Sequence, residues 1–196
     1  MMSLYQKISH PVLRLFPLAA MVALLFIASS ASADDATHGG AEERKNIQLA
    51  LNAYHGVDAK TLNAAAKDPQ VHLLALISSP DTKPLTKLQA LAALAHFPNA
   101  ATLRVYRSHL KGANLNGEGS RELHRAIQGM AFAFGEEATK VLEPLLAHSD
   151  LQVRLTVVDA MSRLGEASKS RLREHLKTER NPLVIESIVK KAASLR

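Results

Sequence analysis

The chain has 196 residues, with 24 Lys and Arg against 18 Asp and Glu, 47% hydrophobic and 4% aromatic residues, and neither Cys nor Trp. That length holds one domain with a real core or a short repeat array, and two separate enzymatic domains do not fit. Lack of Cys excludes a disulfide framework, a thiol nucleophile, Cys-ligated zinc and iron–sulfur clusters, and few aromatics beside many Ala and Leu favour helices over a sandwich or barrel.

The N-terminal stretch reads as an address. Lys7 and Arg14 precede an uncharged run, Leu15 to Ile27, and Ala31-Ser32-Ala33 then supplies the small-x-small pattern that a signal peptidase cuts. Residues 1–33 are thus expected to be a secretory signal cleaved before Asp34, because 13 apolar residues fall short of the roughly 20 that span a bilayer. Cleavage removes Lys7 and Arg14, leaves a mildly basic product and points to the periplasm. Residues 34–40 (DDATHGG) show no periodicity and are expected to be a disordered leader, with the ordered domain spanning 41–196.

From Ala41 onward, helix-length apolar patterns alternate with short breakers, and no run of strict period-two alternation occurs. Helices are expected at 41–54, 59–67, 70–78, 85–97, 100–111, 120–134, 137–148, 151–164, 167–178 and 182–194. His55-Gly56, Asp68-Pro69, Ser79-Pro80, Lys83-Pro84, Pro98-Asn99, Gly135, Gly165 and Asn181-Pro182 mark seams. Gly112 to Gly119 reads as a loop closed by a Ser120 cap; its glycines suggest an anion cradle only weakly, since no strand precedes them.

Four segments ending at Phe97, Phe134, Leu164 and Leu195 superpose, at offsets of 37, 30 and 31 residues. Three positions earlier stand Leu94, Ala131, Met161 and Ala192; seven earlier, Ala90, Ile127, Val157 and Ile188; eleven earlier, Thr86, Leu123, Val153 and Val184. This spacing lays one largely apolar stripe along each helix. Amphipathic partners lie between: Leu103, Tyr106 and Leu110; Val141, Leu142, Leu145 and Leu146; Leu172 and Leu176. A single hairpin cannot bury its stripe, whereas stacked hairpins form a continuous core, which is the physical basis of such periods.

Asp150, Val153-Arg154 and the apolar helix closing in Leu164-Gly165 resemble the HEAT-repeat family, including its short bacterial variants. Leu88 to Phe97 and Leu123 to Gly135 are looser copies, with Lys87 or His124 in place of the Arg. The resemblance covers Asp68 to Arg196 and implies an all-α fold, an α-solenoid of stacked helical hairpins, with Ala41 to Lys67 as a cap. Short repeats of this kind also resemble those of bilin-lyase-like proteins, but no residue here carries such chemistry.

Catalytic signatures are missing: HExxH, GxSxG and the P-loop pattern do not occur, and no two His stand four apart. Glu136-Glu137 is suited to a helix start after the Gly135 turn. Neither an enzyme, nor a cofactor or metal, nor a small-molecule substrate is expected. The last 46 residues carry ten Lys and Arg against five acids. The expectation is a scaffold or adaptor for an unidentified protein partner, with Arg104, Arg107, Arg154, Arg171, Arg173 and Lys177 as contact residues. The alternative is docking of the basic end on an anionic envelope lipid or polymer. Nucleic acid is not expected, given export and the lack of stacking aromatics at that end.

Overall fold

A computed structural model describes residues 33–53, 57–111 and 118–193. The expected signal peptide therefore lies, but for Ala33, outside the described residues, as do Leu195 and most of the loop expected at 112–119. Among the described residues the fold is all-α, without strands. The helices are α1 (Ala33–Leu51), α2 (Ala59–Ala65), α3 (Pro69–Ser78), α4 (Pro84–Ala93), α5 (Ala100–Lys111), α6 (Glu118–Phe134), α7 (Thr139–Leu142), α8 (Leu151–Ser162), α9 (Glu166–Leu176) and α10 (Pro182–Ala193).

Helix α1 runs from Ala33 and so takes in residues 34–40. Two expectations are corrected. Helix α6 begins at Glu118, so Ser120 lies in its first turn and does not cap it. The helix expected at 137–148 is instead a 3-10 turn (Gly135–Ala138), the four residues of α7 and a second 3-10 turn (Glu143–Ala147). Gly135, at φ 51°, supplies the left-handed residue that ends α6. Pro144 then interrupts the α pattern, since it carries no N–H for the preceding turn.

Short polar residues start the helices by occupying N–H groups that have no intrahelical partner. Asp58 Oδ1 accepts from Thr61 N at 2.7 Å, and Asp150 Oδ1 from Gln152 N and Val153 N at 2.7 and 3.0 Å. Asn181 Oδ1 accepts from Leu183 N at 3.0 Å, one residue beyond Pro182. These amides hold the Asp58 and Asp150 carboxyls below their ordinary range.

Packing follows the stripe. Helices α4, α6, α8 and α10 each pack on the next, while α5 lies on α6, Glu143–Ala147 on α8, and α9 on both α8 and α10. Leu94, Ile127, Val157, Met161 and Ile188 are fully buried, and Phe134 and Leu164 are half-buried against the core that holds the last four. Val184 and Ile188, apolar side chains on the last helix, are also fully covered within the chain. Close approach has a local cause at α5: Tyr106 donates its hydroxyl to Leu91 O at 2.9 Å, and burial pushes the phenol pKa up. A Cβ at Gly129 would stand 2.4 Å from that hydroxyl, so glycine lets α6 close on the ring.

The first core gathers Ile47, Leu51, Leu62, Leu73 and Leu76 with Ala90, Ala93 and Leu94 of the α4 region. The second begins at Leu91 and Ala95 and runs to Ile188, and Ile77 and Val105 touch both. Helix α4 is thus shared between them.

Candidate functional site

The six cations expected to contact a partner stand on α5, on α8 and on or just past α9. Arg104 and Arg107 are exposed on α5, with no carboxylate of the described residues within 4.0 Å. Arg171 lies 3.6 Å from Glu143, Arg173 pairs with Glu166, and Lys177 Nζ lies 2.7 Å from Glu174. Arg163, Lys190 and Lys191 also lie against acids of the basic end, Arg163 and Lys191 sharing Asp159, and its ten bases against five acids leave a net charge of +5.

Arg154 is turned inward, its side chain only 15% exposed. Its Nε lies 3.2 Å from Glu179 Oε2, and its Nη1 donates to the His148 and Ser149 carbonyls. Glu179 Oε2 also lies 3.2 Å from His175 Nε2, while Oε1 accepts from Arg180 N and Asn181 N. Burial alone would raise the Glu179 carboxyl; the Asn181 amide, His175, the Arg180 amide and the Arg154 charge outweigh it and hold the pKa below the ordinary range. This cluster ties the start of α8 to the turn between α9 and α10. It is structural chemistry, an inward-turned ion pair whose Arg154 Nη1 is held by two carbonyls while Nε faces Glu179 without a hydrogen bond among the described residues.

A different surface carries the recognisable cavity. Two hollows of about 400 and 300 Å³ share Ala92, His96 and Arg125 and so form one groove. It passes from Leu85 and Gln89 on α4, across Arg125, Gln128 and Phe132 on α6, to Arg163 beyond α8. Ala92, Ala95 and Gly129 form its floor, where small side chains leave a valley between neighbouring helices. Leu85 and Phe132 stand on it 65% and 68% exposed, large apolar side chains left uncovered. His96 Nε2 bonds Val57 O at 3.0 Å, and its ring meets the Phe132 ring edge-on at 5.4 Å.

The groove's electrostatics are one-sided, since two guanidiniums line it and no carboxylate does. Among the described residues Arg125 reaches only Gln128 Oε1, at 3.5 Å, and Gln89 Oε1 is buried without a hydrogen-bond partner. A larger hollow of about 650 Å³ between α1 and the α3–α4 turn mixes Arg44 and Lys83 with Asp81, and lacks this single sign.

Sequence reasoning passed over the groove. Its signal was a second set at helical spacing beside the stripe: Leu85, Gln89, Ala92 and His96 on one helix, and Arg125, Gln128 and Phe132 on the next. A phenylalanine outside the stripe phase, in a chain with five, was the sharpest of these marks.

Among the described residues no group of three or more acids and histidines could hold a metal ion, and no helix is long and apolar enough to cross a membrane. Compared with known families, with curated proteins and with solved structures, the chain matches none.

Proposed function

We propose that the chain is an exported, non-enzymatic interaction scaffold, an α-solenoid of HEAT-like hairpins that holds a partner protein in the periplasm. The observation that carries this reading is the groove from α4 across α6 to Arg163 beyond α8, where uncovered Leu85 and Phe132 stand beside guanidiniums with no lining carboxylate. Exposed large apolar side chains in a concave, single-sign surface are the chemistry of a recognition site. Serial packing of α4, α6, α8 and α10 supports the hairpin array, because each helix buries its stripe on the next. Export rests on the charge-then-apolar-then-small pattern of residues 1–33.

The test is affinity capture with the tagged full chain from an envelope extract of the native host at physiological salt, read by mass spectrometry. One stoichiometric protein is expected, and N-terminal sequencing of the exported chain should begin at Asp34. Recovery of lipid or polymer alone, released by modest salt, would replace the scaffold with envelope docking.

A further inference from the structure

Resting on the scaffold reading, we infer that the groove takes an extended, acidic peptide segment of the partner, with carboxylates on Arg125 and Arg163 and an apolar side chain against Phe132. Charge complementarity chooses the sign: every ionisable side chain lining the groove is a base, and none is an acid. Arg125 has no carboxylate among the described residues within 4.0 Å, and Arg163, 72% exposed, gives only part of its five-donor fork to Asp159.

The apolar wall chooses the chain type. Phe132, 68% exposed beside Arg125, offers an apolar seat that a purely electrostatic ligand, a phosphate or a polyanionic glycan, would leave uncovered. A peptide carries carboxylates and an apolar side chain on one chain, so it meets Arg125, Arg163 and Phe132 together.

The experiment is selection of a random dodecapeptide display library on the full chain, produced in an exporting host. Fluorescence anisotropy of the best peptide then follows, with wild type, Arg125→Glu, Phe132→Ala and the outer double variant R171E/R173E. All substituted side chains are exposed, and matching thermal melts by circular dichroism check that the fold is kept. Enriched peptides should carry Asp or Glu with a bulky apolar residue. Affinity should fall about tenfold or more in R125E and in F132A, and stay unchanged in R171E/R173E.

Peptides without acidic excess, or a loss confined to R171E/R173E, would overturn the groove and leave the scaffold standing. No enriched peptide, with one stoichiometric protein still captured from the envelope extract, would do the same; failure of both experiments would remove the scaffold as well. Phosphatidylglycerol vesicles that bind wild type and not R125E, where no peptide does, would overturn the peptide in favour of a lipid surface.

Discussion

The two ends of the described fold are held together by different means. From α6 to α10 the second core runs through nineteen buried side chains that begin in α4 and α5, and each stripe helix lies between two others or is clasped by its hairpin partner. The first core has nine, and α2 adds a single buried residue from within its helix, Leu62. Where apolar area is scarce, polar links take over. Glu43 Oε2 lies 2.9 Å from His72 Nε2 and Oε1 accepts from Lys67 N, joining α1 to the start of α3. Gln70 exchanges two amide hydrogen bonds with Asn99 and donates a third to Thr102, joining α3 to α5. Repetition thus secures one end by burial, while the other depends on particular side-chain pairs.

The largest effect that this contrast predicts is at Val157, fully buried at the centre of the second core. Val157→Asp places a carboxylate there at a cost of order 5 kcal/mol or more, comparable with the stability of a whole domain. Circular dichroism should show the helices lost together, and a normal melt would refute the packing account. Next is Glu179→Ala, which strands the Arg154 guanidinium and should cost about 3 kcal/mol. Urea unfolding measures it, and a change below 1 kcal/mol would mean that the Arg154 carbonyl contacts suffice.

Leu62→Ala should cost about 2 kcal/mol, the low end for a buried leucine, because α2 has seven residues and buries no other side chain from within its helix. Hydrogen exchange should then show α1 and α2 opening before α6 to α10, and uniform loss of protection would show that the two cores melt as one. The smallest effect is acid sensitivity of the Glu43 link. The His72 hydrogen bond, first, and the Lys67 amide hold the Glu43 carboxyl below its ordinary value of 4.5. Stability from such a depressed group is full above the unfolded-state value and is lost as pH falls through the folded-state value. Protection of α1 should therefore drop below pH 4.5 in wild type, and Glu43→Gln should flatten that part of the profile.

Periodicity made the helices legible. Nine of the ten helical segments expected after residue 40 have α-helical counterparts, 137–148 being the exception, and the fully described stripe positions are buried or half-buried. The misreadings arose where a local cue competed with context. Pro144 stood inside an otherwise regular apolar pattern, and the resulting 3-10 turns follow from backbone hydrogen bonding that hydrophobic spacing does not encode. Arg154 looked like surface because its partner, Glu179, lies 25 residues away in a break between helices. The groove was hidden for a related reason: Leu85 and Phe132 sit in different repeats, and only packing brings α4 beside α6.

The run from Gly135 to Ala147 also bears on the arithmetic of length. Nine of its residues are in 3-10 turns, which rise about 2.0 Å per residue against about 1.5 Å in an α-helix. Tighter winding therefore stretches the segment by about 4.5 Å, the reach of roughly three further α-helical residues. A shorter stretch of sequence can so bridge the same distance between α6 and α8. Spacing between those helices is set by the side chains in contact, and the connecting backbone adjusts its pitch to suit. The unequal periods of 37 and 30 residues need not correspond to unequal steps in space.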